Sequence, residues 1–252
     1  MKKLYSELKK ELGKRDASCE YIEVLVRTYE AHLINKPVEE LADKADIRIN
    51  DYSSDIMRNT IRSMYFSSVT TQFEMYLVKA YQFLRTFSDA SLRKGDGESY
   101  LKCIFKHIYG MQCKTDNYMR YLVCEYYRLA RNESVHMKEN NSLKNAYLEL
   151  TAYRERITSL LGGEMFPNPP DLLCFDDFII YSRTVKQLAY ENVQHTKYSA
   201  ELFLKHIEMK RFGKYAVGCK QWRRAVGFYL CLEFGLEGEK REVFLDEIIK
   251  AM

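Results

Sequence analysis

The chain has 252 residues, 46% of them hydrophobic and 13% aromatic, with 39 Lys and Arg against 35 Asp and Glu. That length and apolar content support a packed core and exclude an intrinsically disordered chain. A formal charge of +4 is too small to mark a nucleic-acid binder, so local clusters of Lys and Arg carry more weight than the total.

Met1-Lys2-Lys3 is followed by Tyr5, Glu7, Lys9, Lys10 and Glu11 rather than by an apolar run, and nowhere do about 18 apolar residues follow one another. The expectation is a cytoplasmic protein with no signal peptide and no membrane span. Seven cysteines, Cys113 among them, lie at wide, unequal spacings without a C-x-x-C pair, the pattern of reduced thiols rather than of a zinc or redox centre.

Only 11 Gly and 4 Pro interrupt segments rich in Leu, Glu, Lys, Ala, Met and Tyr, which favours helices over strands. Residues 1–50 read as two or three helices (Leu4 to Leu12, Tyr21 to Ile34, Val38 to Ala45), the last opened by Pro37, whose missing N–H a first helical turn tolerates. From Tyr65 to Leu84, Phe66, Val69, Phe73, Tyr76, Leu77, Ala80 and Leu84 recur at steps of three and four, one stripe of a long helix. Tyr100 to Tyr109 repeats the pattern and stops at Gly110, a C-cap residue. A third helix starts at the capping types Thr115, Asp116 and Asn117 and carries Met119, Leu122, Val123, Tyr126 and Leu129. The fourth runs from about Ser134 to Leu161, with Leu143, Ala146, Tyr147, Leu150, Tyr153 and Ile157 inward, and ends at Gly162-Gly163.

Four successive amphipathic helices with short links imply an all-α antiparallel bundle over residues 51–162. Residues 1–50 form an N-terminal helical extension. Residues 163–252 supply further helices over Phe175 to Asn192, Ser199 to Met209, Trp222 to Phe234 and Arg241 to Ile249. The loop Gly162 to Pro170 is the best boundary, but Met165, Phe166, Leu172, Leu173 and Phe175 around it are too apolar for a solvated linker. The C-terminal helices should therefore pack on the bundle as one globular unit.

The residues that point to chemistry are Arg131-Asn132-Glu133-Ser134-Val135-His136. An imidazole near neutral pH can take a proton from one oxygen and return it to another. A guanidinium stays charged and matches two phosphate oxygens with its planar fork. Together they suit transesterification by an RNA 2′-hydroxyl, which needs no metal, and no His-x-x-x-His or carboxylate cluster suggests one. No cofactor is expected.

Geometry constrains the pair, because five residues on an unbroken helix turn through about 500° and leave positions 131 and 136 about 140° apart. If the third helix ends near Ala130 and Asn132 caps the fourth, Arg131 can fold across a positive helix N-terminus, a corner suited to anions. Spacing alone carries little, since Arg27-Thr28-Tyr29-Glu30-Ala31-His32 repeats it on an amphipathic helix where neither residue needs a further role. The plainer readings stay open: Arg131 as a salt-bridge partner of Glu125 or Glu133, and His136 bonded to backbone.

Ser67 to Leu77 (SSVTTQFEMYL) on an early helix, followed by Arg131-Asn132-x-x-x-His136 late in the bundle, resembles the HEPN superfamily, and more narrowly HEPN proteins of prokaryotic toxin and defence systems. The likeness spans roughly residues 52 to 162. It implies an all-α homodimer in which the motifs of two protomers face each other across a cleft, with metal-independent endoribonuclease activity that leaves a 2′,3′-cyclic phosphate. By the same resemblance Arg131 and His136 are catalytic, Asn132 supports them, and Glu74 matches a polar position that orients the arginine, although a solvated helical Glu explains it equally well. An antitoxin or regulatory protein partner is implied as well.

A basic, aromatic stretch, Lys205-His206, Lys210-Arg211-Phe212, Lys214-Tyr215 and Lys220-Gln221-Trp222-Arg223-Arg224, offers a surface for RNA. Lys210, Arg211, Lys214, Lys220, Arg223 and Arg224 would hold phosphates while aromatics stack on bases. The alternative is a solvated basic face with Phe212 and Trp222 turned inward. A non-catalytic helical module that binds RNA, a nucleotide or a protein is the competing reading of the whole chain.

Overall fold

The computed structural model describes residues 1–32, 38–49, 54–111, 115–136 and 141–252. Its α-helices are α1 (Lys2–His32), α2 (Val38–Lys44), α3 (Ser54–Phe87), α4 (Tyr100–Tyr109), α5 (Asp116–His136), α6 (Asn141–Ala152), α7 (Arg154–Leu160), α8 (Phe175–His195), α9 (Ala200–His206), α10 (Lys220–Tyr229) and α11 (Gly238–Ala251). Short 3-10 turns occupy Pro170–Leu172 and Met209–Phe212, and a π turn extends α10 over Leu230–Phe234. There is no strand among the described residues, so the fold is all-α, as the scarcity of breakers implies.

Helix ends follow from local chemistry. Ser99 Oγ accepts from Lys102 N to start α4, and Gly110 at φ 68° closes it. Thr115 Oγ1 accepts from Tyr118 N at 3.1 Å and opens α5. Tyr153 leaves helical geometry (φ −116°, ψ 22°) and divides the expected fourth helix into α6 and α7, while Gly162 and Gly163 at positive φ end it.

The helices expected over Leu4 to Leu12 and from Tyr21 onward are one helix, α1, because a single Gly13 costs only about 1 kcal/mol relative to Ala and no other breaker lies between them. Ile34 and Pro37 lie outside the described residues.

The chain folds as two compact units, each assembled from separate segments: residues 1–10, 72–122 and 184–252 in the first, residues 11–71 and 123–183 in the second. The first has a core of Phe203, Trp222, Val226, Leu230, Phe234, Phe244, Leu245 and Ile248, with Phe83 and Phe87 packed against it. Phe87 meets Phe234 edge-on at 5.0 Å, and Phe203 meets the same ring at 5.5 Å. Such pairs add about 0.5–1.5 kcal/mol each beyond burial.

Gly235 ends the π turn at φ 80°, and a Cβ there would overlap Val193 Cγ1. Gly235→Ala should therefore cost between about 2 and 5 kcal/mol, from positive-φ strain plus overpacking, read as a lower urea midpoint with an unchanged slope. An Ala variant as stable as wild type would show that this turn has room.

In the second unit the core is aromatic. Tyr65, Phe66, Tyr126, Tyr127, Phe178 and Tyr181 are all buried. Phe66 stacks on Tyr127 at 5.6 Å, Tyr127 meets Tyr181 at 5.1 Å, and Thr70 Oγ1 shares a 3.1 Å hydrogen bond with Tyr181 Oη. Cys19 is buried here and its thiol is pushed up to about 11, chiefly by desolvation. Cys19, Cys103, Cys124, Cys174, Cys219 and Cys231 form no disulfide, and Cys113 lies outside the described residues. Among the described residues no helix is long and apolar enough to cross a membrane.

Candidate functional site

Helix α5 runs without a break through Arg131 to its last residue, His136. The junction expected at Ala130 to Asn132 does not form, and Asn132 is no N-cap. Residues 130–136 contain neither Gly nor Pro, and the helical penalty of one Asn, under about 1 kcal/mol, is small beside the burial of Leu122, Val123, Tyr126, Tyr127 and Ala130 along the same helix. Instead of capping, Asn132 Oδ1 accepts from Arg131 Nη1 at 3.2 Å. Positions 131 and 136 consequently stand about 140° apart around one helix axis. The structure describes only the backbone of His136.

Arg131 lines a cavity of about 350 Å³ in the second unit. Asn59, Arg62 and Ser63 of α3 face the same space, and Asp171 of the 3-10 turn faces it from the loop side. Phe66 and Ala130 provide buried apolar lining, with Pro170 and Leu173 along the loop. Two arginines, both half-buried, and the exposed Asp171 thus line one partly open pocket, where Coulomb interactions are stronger than in bulk water.

The loop that walls this cavity is held by one buried carboxylate. Asp177, fully buried in the first turn of α8, accepts four hydrogen bonds. Oδ1 accepts from Tyr127 Oη at 2.8 Å and Asn168 N at 2.9 Å; Oδ2 accepts from Asn168 Nδ2 and Cys174 N, each at 2.9 Å. The bond to Cys174 N is the backward half of a capping box. The others tie the Pro-rich loop to α5. Beside this carboxylate, desolvation first and its charge second hold the Tyr127 phenol well above its ordinary range.

Glu125 is engaged by Arg128 in a two-point ion pair at 2.7 and 2.8 Å. Arg27 is bonded to Glu23 at 2.8 Å and lies 5.7 Å from the Phe175 ring, a structural role for the first copy of the spacing. Glu74 is an exposed residue of α3 that falls in the first unit, whereas Arg131 falls in the second.

The basic stretch belongs to the first unit. Lys210, Arg211, Lys214, Lys220 and Arg224 are exposed. Arg223 is tied to Asp246 at 2.7 Å and Glu242 at 3.3 Å, and Arg211 lies 4.7 Å from the Tyr229 ring. Phe212 and Trp222 are turned into the core, while Tyr215 is exposed, as is Phe228 just beyond the stretch.

Sequence reading missed Arg62, Asn59, Ser63 and Asp177. The signal for the first three was present: with Phe66 they fall at i, i+3, i+4 and i+7, one helical face, but on a turn ahead of the apolar stripe. Asp177, by contrast, looked like any acidic residue at a helix start. Among the described residues no three of His, Cys, Asp and Glu gather into a group that could hold a metal ion. No family model, curated protein or solved structure matches the chain.

Proposed function

We propose that the chain is a metal-independent endoribonuclease of HEPN type that cuts RNA by 2′-hydroxyl attack, acting in the cytoplasm as a homodimer in a toxin, phage-defence or stress role under the control of an antitoxin or regulatory protein. The observation that supports the chemistry is the cavity that Arg131 lines together with a second guanidinium, one and a half helical turns before His136. The biological role rests on the resemblance of Ser67 to Leu77 and Arg131 to His136 alone.

In the proposed step the 2′-oxygen forms a bond to phosphorus and the bond from phosphorus to the 5′-oxygen breaks. His136 takes the 2′-hydroxyl proton, and the departing 5′-oxygen gains one. Arg131 offers two parallel N–H donors to the phosphoryl oxygens as negative charge builds on them. With the two positions about 140° apart on one helix, the pair is best supplied by two protomers, Arg131 from one and His136 from its partner.

That same unbroken helix favours the competing reading, a non-catalytic module that binds RNA, a nucleotide or a protein partner without cutting. Incubation of the purified chain with single-stranded RNA in EDTA separates the two. Cleavage that persists in EDTA is expected, and saturable RNA binding without any cleavage would favour the module instead. Arg27→Ala should cut at the wild-type rate, since its charge is spent on Glu23.

A further inference from the structure

We propose that Arg62 is a second phosphate-binding residue beside Arg131, and that their shared cavity takes one phosphodiester of an RNA strand. The inference rests on the ribonuclease reading for the identity of the strand only. Four observations carry it.

First, Arg62 and Arg131 line the same cavity from different helices, α3 and α5, rather than lying along one face of a single helix. Second, both are half-buried, and a guanidinium partly withdrawn from water attracts an anion more strongly than a surface one does. Third, the exposed Asn59, one turn before Arg62 on the same helical face, adds an uncharged donor for phosphate and sugar oxygens. This face is anchored by Phe66, stacked on Tyr127.

Fourth, Asp171 sets the charge of the ligand. The lining carries two arginines against one aspartate, an excess of cations that favours an anion, and the Asp171 carboxylate opposes a doubly charged phosphomonoester or a polyphosphate more than it opposes a phosphodiester. Pro170 and Leu173 leave apolar surface for the sugar.

The test uses a fluorescent, fully 2′-O-methylated RNA oligonucleotide, which cannot be cut, titrated with the full chain by anisotropy at several salt concentrations. Arg62→Ala should weaken binding about tenfold and flatten the dependence of log K on log salt by about 0.7, the loss of one phosphate contact on a single strand. Arg62→Lys, which keeps the charge, should keep the salt slope and lose part of the affinity. Asp171→Asn should bind more tightly than wild type. Circular dichroism melts of each variant confirm folding.

Wild-type affinity and slope in Arg62→Ala, or weaker binding with an unchanged slope, would overturn the proposal. So would Asp171→Asn binding no more tightly than wild type. The outcome is separable from the ribonuclease reading: a wild-type chain that binds through Arg62 but never cuts RNA removes the catalytic reading and keeps this one. A chain that cuts RNA while Arg62→Ala binds and cuts normally does the reverse.

Discussion

Asp177→Ala should lower the stability of the chain by about 3–5 kcal/mol, among the largest effects of any single substitution here. Four donors converge on that carboxylate, which is fully buried. Truncation leaves Tyr127 Oη, Asn168 N and Cys174 N without the acceptor they share and Asn168 Nδ2 with only Cys174 Sγ at 3.5 Å, each donor costing about 1–3 kcal/mol if it stays unsatisfied. The size of the chain converts this to a fall in melting temperature of roughly 10 °C.

Asp177→Asn is nearly isosteric but turns an NH₂ toward two of those donors, so it should lose a large part of the same stability. Both variants should also loosen the loop that carries Pro170, Asp171 and Leu173, and RNA binding should weaken with them. An Asp177→Ala protein that melts within 2 °C of wild type, a shift of about 1 kcal/mol or less, would show that the carboxylate is not what holds this loop.

The second large effect is catalytic. Arg131→Ala should reduce RNA cleavage about a hundred- to a thousandfold, the usual consequence of deleting a group that stabilises transition-state charge. His136→Ala should lose about a hundred- to ten-thousandfold. Because the two positions diverge on an unbroken α5, the pair should work across two protomers, and mixing the two inactive variants is informative. In a random mixture half the dimers are heterodimers with one intact Arg–His site of two, so activity should return to about a quarter of wild type. A mixture as inactive as its components, once exchange of protomers has been verified by mass, would contradict the shared site.

How far the sequence reached can be judged element by element. The all-α class, the stripe from Phe66 to Leu84, the Gly110 cap and the Gly162-Gly163 stop were all visible in periodicity and capping chemistry, and the structure buries the stripe and ends the helices where those signals lie. The same local rules failed at Asn132, where a capping residue type sits inside a helix because the apolar face of α5 outweighs its preference. They failed also at Gly13, for the same reason of scale.

The site was half legible. Arg131 was singled out by type and company, and it does line a cavity, but Arg62 stands some seventy residues earlier and no local pattern links the two. Asp177 was invisible because its role depends on Tyr127 and Asn168, fifty and nine residues away. Long-range convergence of this kind has no period in sequence. In the basic stretch the inward reading of Phe212 and Trp222 is the one the core demands, since large aromatics contribute more buried than stacked on a solvated face.

The chemical form of the new RNA end tests the central claim most directly. A single-stranded RNA oligonucleotide, incubated with the purified chain in EDTA and examined by mass spectrometry, should yield a fragment ending in a 2′,3′-cyclic phosphate. The same oligonucleotide with a 2′-deoxy sugar at the cleaved position should stay intact there. Fragments with a free 3′-hydroxyl, cleavage at the deoxy position, or cleavage that survives both Arg131→Ala and His136→Ala would contradict it.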